Sequence, residues 1–375
     1  MFFLRFIAYI TIVILLFTCK SYAGEFKFSQ KRLLEKYAPV WVHEIGRLPI
    51  YDIITAWDFD NNFSGADNVE NAEKFPLPAV VYGFVTAETS DAYYLFYGVY
   101  HVRDYDTPLR EFFWSSSSHD NDFEGAMVVV AKSNGDILAI ETWYYSIFLQ
   151  FTYKPKVPGN QAIDGAIHVE DKTHPILYVS SKGHGVRGFQ KIDEPELLKN
   201  QYKIYRLGKA DADMRYHKGE FAQYELHTFE PFLIYGRGPF EVDSMFCIQG
   251  DYGLDDVPIG KYLSGRFAGD SSWARPKPPW SWTDKFDNLR PGAWFFHPAY
   301  VFNLHFGLGL SDRYIKNDAV EYFFNIDYAK LNNWILEERE DSFFPKAPKG
   351  LLSKPYLKVK NWLFKLIEPL FFYIG

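Results

Sequence analysis

The chain reads as mainly β: an antiparallel β-sandwich with peripheral helices and a loop-rich, aromatic C-terminal extension. Aromatic residues make up 19% of it, with 35 Phe, 27 Tyr and 10 Trp. Aromatic and β-branched side chains suit a half-buried pleated surface. Segments rich in Val, Ile, Tyr and Phe follow one another, with Gly, Asn, Asp and Ser between them. No helical pattern separates them, which is the order of an antiparallel sheet rather than a doubly wound one.

Taken in order, residues 27 to 36 form a short, charged, helical-looking opening. Strands are expected at Ala38 to His43, Val80 to Val85, Ala92 to Val102, Gly125 to Ala131, Ile137 to Tyr145 and Pro175 to Ser180. Asn134-Gly135-Asp136 is a hairpin signal between two of them. The texture changes near residue 190, where Glu194 to Asn200 reads as a short helix. From Asp251 to Pro298 the chain is loop-rich, and the prolines of Ala274 to Trp280 cannot sit in a central strand. Trp273, Trp280, Trp282 and Trp294 call for burial there. Leu331, Trp334, Ile335 and Glu338 follow helical spacing within Ala329 to Glu340. Tyr356 to Glu368 mixes Lys358, Lys360 and Lys365 with Trp362, Leu363 and Phe364. It is expected to dock on the body as a terminal helix, the alternative being a helix at a membrane interface.

The N-terminus has the features of a secretory signal. Arg5 supplies charge, Ile7 to Phe17 is an apolar run, and Ser21-Tyr22-Ala23 is a small-x-small site before Gly24. The run is short for a span of about 20 residues, so an uncleaved membrane anchor is the alternative to secretion or a periplasmic location. The expected organisation is a signal peptide over 1–23, a β-sandwich domain over 24–250 and the extension over 251–375. Cys19 would leave with the signal, so Cys247 would have no partner for a disulfide and reads as a small buried apolar residue.

The formal net charge of −7, with no basic block, argues against nucleic acid as a partner, because phosphate neutralisation needs clustered Lys and Arg. No glycine-rich nucleotide motif, nucleophile elbow or H-E-x-x-H sequence is present, so no nucleotide is expected.

The chemistry concentrates in Ser118-His119-Asp120-Asn121-Asp122-Phe123-Glu124-Gly125, which runs into Ala126-Met127-Val128-Val129-Val130. Alternation along a strand puts Asp122 and Glu124 on one face. His119 stands just before the strand, where the serine-rich loop can fold it back. Neighbouring carboxylates repel and raise one another's pKa unless a positive charge lies between them. A divalent cation is the simplest remedy, and oxygen-dominated ligands with one or two imidazoles point to Mg²⁺, Ca²⁺ or Mn²⁺. A solvated turn at an edge strand is the structural alternative.

This segment, with Tyr94 to Tyr100 and Arg103-Asp104 before it, resembles the necrosis- and ethylene-inducing peptide-like proteins, whose hallmark is G-H-R-H-D-W-E after a Lys-Asp pair. Thr173-His174-Pro175 followed by His184 resembles their later T-H-P and His. Trp57-Asp58-Phe59-Asp60-Asn61 resembles an earlier acidic turn. Tyr37-Ala38-Pro39-Val40 is similar to the wider superfamily that includes vacuolar protein sorting-associated relatives. The resemblance covers residues 35 to 190. It implies a β-sandwich with metal ligands at Asp104, His119, Asp122 and Glu124, and it implies sugar head groups of membrane sphingolipids as partners. Ser118, Asp120, Asn121 and Phe123 depart from the hallmark, which changes the rim but removes no proposed ligand. His184, Asp58 and Trp280 are candidates for ligand binding.

Two functions remain open. One is a secreted, divalent-cation-dependent protein that binds carbohydrate or lipid head groups at a membrane surface and damages the membrane, with Trp and Tyr rings near Trp273 to Trp282 stacking on sugar. The other is a metal-dependent hydrolase of phosphodiesters or glycans, with His119, His184 or Glu124 as acid or base. A cation that merely stabilises loops is a third reading. His43 ends a strand and could face either way. His174 reads as structural at a strand entrance, and His168, His217, His227, His297 and His305 read as ordinary surface or core residues.

Overall fold

The computed structural model describes residues 28–107, 118–193, 201–235, 246–247, 266–267, 277–282, 284, 292–324, 329 and 332. The expected signal peptide, the helices over 194–200 and 356–368, nearly all of that over 329–340, Trp273 and the side chain of Cys247 lie outside them.

In chain order the elements are α1 (Phe28–Lys36), β1 (Val40–Ile45), α2 (Pro49–Asp52), α3 (Asn68–Asn71), β2 (Val80–Thr89), β3 (Ala92–Asp104), β4 (His119–Ala131), β5 (Ile137–Tyr144) and β6 (Ile147–Phe151). Then come β7 (Val169–Glu170), β8 (His174–Val179), β9 (Val186–Gly188), β10 (Gln201–Leu207), β11 (Phe221–Thr228), α4 (Glu230–Tyr235), β12 (Phe246–Cys247) and β13 (Arg266–Phe267). Last are α5 (Ala293–Phe296), α6 (Pro298–Phe306), β14 (Tyr314–Asn317) and α7 (Asp318–Phe324). Every strand expected from composition forms. The hairpin turn closes where Gly135 takes φ 78° and Ala131 N–H donates to Asp136 O at 2.9 Å.

The antiparallel sandwich does not match the sheet found. One mixed sheet runs β6-β5-β4-β3-β2-β11-β10-β1-β8-β7, with β14 on β2 and β9 on β8. Pairing is antiparallel from β6 to β2, but β11 lies parallel to β2, β10 to β11 and β1 to β8. β10 and β11 lie beyond residue 190, where the resemblance ends, and β1 and β8 are far apart in the chain, so hairpin signals could announce none of these pairings. Right-handed twist brings the far strands round. A Cβ on Gly185 would stand 2.8 Å from the Tyr144 ring, and one on Gly188 would stand 2.7 Å from the Phe151 ring. The sheet is thus nearly closed into a barrel, with β9 against β5.

Twelve of the thirteen β4 residues are buried, so this strand is covered on both faces, which explains its unbroken apolar run. Phe96 and Phe123 meet Phe229 edge-on, and Phe229 meets Trp280 and Phe295. Trp280, Trp282 and Trp294 are at most 1% exposed and belong to the same core as the strands. The described part of the C-terminal extension therefore packs onto the sheet. No helix among the described residues is long and apolar enough to cross a membrane.

Gly98 and Gly125 face each other across β3 and β4. A Cβ on Gly125 would come within 2.5 Å of the Tyr97 carbonyl oxygen, a backbone atom that cannot swing aside. Gly125→Ala is therefore expected to lower stability by about 2 kcal/mol, the usual scale of overpacking. Chemical denaturation checks this, and an unchanged midpoint would contradict the packing.

Candidate functional site

Asp104, His119, Asp122 and Glu124 lie together in the fold. They line one open cleft of about 400 Å³ together with Phe123, Trp143, Tyr145, Ser146, Gly183 and Lys277. Asp104 and His119 are direct partners across β3 and β4, with His119 Nε2 3.7 Å from Asp104 Oδ2. His119 lies inside β4, not before it. Strict alternation from Asp122 and Glu124 would bring Asp120 to the cleft. The residue between, Asn121, takes φ 59°, which breaks the alternation and delivers His119 instead. Asp120 turns to Arg103, 3.5 Å away.

Asn121 is held in that backbone state. Its Oδ1 accepts from Tyr100 O–H at 2.6 Å and from Asn68 Nδ2 at 3.3 Å, and its Nδ2 donates to Gly65 O at 2.6 Å. Asn is among the few side chains that enter the left-handed region readily.

The electrostatics are acidic and poorly solvated. Glu124 is buried, and its Oε2 has no hydrogen-bond partner among the described residues. Burial first, then the charges of Asp122 and Asp104, push its carboxyl well above the ordinary carboxylate range. Burial and Asp122 push Asp104 up as well, against the pull of His184. Burial holds the His119 imidazole below its usual value, although Asp122 opposes this.

His184 does not face the cleft. Its ring is fully buried; Nδ1 lies 2.7 Å from Asp122 Oδ2 and Nε2 lies 3.3 Å from Asp52 Oδ1. Burial alone would lower its pKa, but hydrogen bonds and charge from Asp122 and Asp52 overcome this and raise it to about 9. It is an imidazolium that positions Asp122 from behind, and it reaches the cleft only through that carboxylate. Trp280 is 0% exposed, packed on Phe229 and Phe267, so no sugar ring can stack on it. Asp58 is half-buried in its turn and does not line the cleft. Burial raises its carboxyl.

The aromatic ring the cleft offers is Tyr145, 45% exposed. Tyr145 and Ser146 form the two-residue turn between β5 and β6 and take φ 48° and 66°. Asn-Gly is the usual choice there, because bulkier residues are strained in this region. The ring is fixed by its hydroxyl to Ser180 Oγ at 2.9 Å. It also sits where a Cβ on Gly183 would be 2.5 Å from Tyr145 Cε1.

Asp52, His101 and Tyr145 are the site residues that sequence reasoning missed. His101 stands directly opposite Asp122 in the β3–β4 register. Pairing Gly98 with Gly125 would have found it, but the sequence has no marker for that register. Asp52 arrives from α2, remote in the chain.

No family model matches the chain, and no curated protein matches it either, so the likeness to vacuolar protein sorting-associated relatives finds no support. Among solved structures, the chain is similar to one described as a toxin fold for microbial attack and plant defence, at 12% identity and TM-score 0.30, covering 56% of this chain and 82% of that one. It is also similar to necrosis- and ethylene-inducing protein 2 from the causal agent of cocoa's witches' broom disease, at 17% identity and TM-score 0.26, covering 54% and 74%. A third is NLPPya in complex with mannosamine, at 15% identity and TM-score 0.31, covering 63% and 88%.

Proposed function

We propose that the chain is a secreted, divalent-cation-dependent protein that recognises a sugar or lipid head group in the cleft and acts at a membrane surface. The observation that carries this reading is Glu124: a buried carboxylate with one oxygen unpartnered among the described residues, crowded by Asp122 and Asp104. An unpaired buried acceptor costs about 1–3 kcal/mol, and a bound cation relieves that cost together with the like-charge repulsion. Asp104, His119, Asp122 and Glu124 would hold the ion. An oxygen-rich set with a single imidazole suits Mg²⁺, Ca²⁺ or Mn²⁺, and the ion would polarise and orient hydroxyl or phosphate oxygens. A cleft of about 400 Å³ is at the small end of ligand pockets. Tyr145 supplies the flat apolar face that Trp280 cannot, and Lys277 supplies a positive group at the rim.

The test is binding of the purified protein to immobilised glycans and to sphingolipid-containing liposomes, with calcium or with chelator. Chelation and Glu124→Gln are each expected to weaken binding at least about tenfold, as loss of a metal ligand does. Glu124→Gln is also expected to raise the melting stability of chelated protein by about 1–2 kcal/mol, because it removes a buried like charge. Binding that is indifferent to chelator would sink the reading. Turnover of a model phosphodiester or glycan, lost in Glu124→Gln, would select the hydrolase. A change confined to melting temperature would leave the cation a structural role.

A further inference from the structure

Behind the cleft lies a chain of buried histidines that the cleft chemistry does not use. His43 Nδ1 lies 2.7 Å from Glu44 O, and His43 Nε2 lies 2.7 Å from His101 Nε2. A carbonyl oxygen only accepts, so Nδ1 of His43 carries the proton. With its proton on Nδ1, the neutral His43 ring presents a lone pair at Nε2. His43 Nε2 is therefore an acceptor, and His101 Nε2 must donate to it. That leaves the lone pair on His101 Nδ1, a fully buried atom with no hydrogen-bond partner among the described residues.

His101, Asp122 and His184 each place one ligand atom within 4.8 Å of the others'. We propose that these three side chains form a second metal site behind the cleft, selective for a zinc-like transition ion and sharing Asp122 with the cleft carboxylates. Two imidazoles and one carboxylate favour such ions over Mg²⁺ or Ca²⁺. The outer contacts are already those of a metal centre, where each ligating imidazole gives its other N–H to a buried acceptor. His184 has Asp52 for this at 3.3 Å, and His101 has His43 at 2.7 Å. The ion takes the place of the proton on His184 Nδ1. His101 and His184 stack with centroids 3.8 Å apart and planes at 10°, so ligation tilts one ring out of the stack. Asp122 lines the cleft and is the route of access. This site stands independently of what the cleft binds.

The test is titration of the full chain with Co²⁺, read by ligand-field absorption, beside zinc-edge X-ray absorption of the zinc-loaded protein. The zinc spectrum is expected to show two imidazole donors, whereas the cleft set offers one, His119. Glu124→Gln is expected to keep the cobalt bands. His101→Phe, which preserves a flat ring in the stack, is expected to weaken cobalt binding at least about tenfold. Should His101→Phe fail to fold, the imidazole count in the unaltered protein decides alone. One imidazole or none, no cobalt bound, cobalt bands lost in Glu124→Gln, or an unchanged spectrum and affinity in folded His101→Phe would overturn the proposal. Loss of glycan binding in Glu124→Gln, with the cobalt bands intact, separates the two sites.

Discussion

Asp122→Asn is expected to cost the chain both its cation and a large part of its stability. Asp122 lines the cleft with Asp104 and Glu124 and also hydrogen-bonds the buried imidazolium. Its Oδ2 lies 2.7 Å from His184 Nδ1, whereas Asp52, the other counter-charge, is at 3.3 Å. An amide can still accept that hydrogen bond, but it brings no negative charge. Removing one partner of a buried ion pair typically costs about 3–5 kcal/mol. Because Asp52 remains, the lower end applies: a loss of about 3 kcal/mol, or a melting temperature lower by roughly 4 °C. Cation affinity should fall at least about a hundredfold, near 2.7 kcal/mol. Calorimetry and a metal titration on the same preparation read both quantities. An unchanged melting temperature would show that His184 does not depend on this carboxylate, and unchanged affinity would remove Asp122 from the ligand set.

Asn121→Val is expected to be at least as damaging to stability, through a different cause. At φ 59°, a β-branched residue is a genuine outlier, and the left-handed state costs it about 2 kcal/mol. The substitution also deletes the bonds to Tyr100, Asn68 and Gly65, each worth about 1 kcal/mol net. A loss of about 5 kcal/mol follows, unless the strand straightens. A straightened strand would turn His119 away and put Asp120 into the cleft, so cation affinity would fall even in folded protein. Asn121→Gly separates the causes. It permits the same φ and loses only the side-chain bonds, so it should be the milder change despite removing more atoms. If valine and glycine destabilise equally, the backbone argument fails.

The contrast between Asp122 and Asn121 shows which physics the sequence carried. Asp122 and Glu124 two apart on a strand are a local pattern, and alternation was enough to pair them. The aromatic richness likewise foretold a deep core, and Trp282 and Trp294 entered it. Trp280 entered it too, and so could not serve as the sugar platform. Demand for burial and availability to a ligand look the same in composition, and packing separates them. His119 reached the cleft for a reason alternation denies, because a single left-handed residue reset the face.

Local propensity and spacing were thus sufficient for the strands, the hairpin at Gly135 and the shared face of Asp122 and Glu124, since each depends on neighbours in the chain. The parallel pairings, the near-closure of the sheet and the placement of His184 between Asp52 and Asp122 depend on contacts between segments far apart in sequence. The same holds for the pairing of His43 with His101. Such contacts form only where sheet twist and core packing bring distant strands together, and neither leaves a repeating signature along the chain.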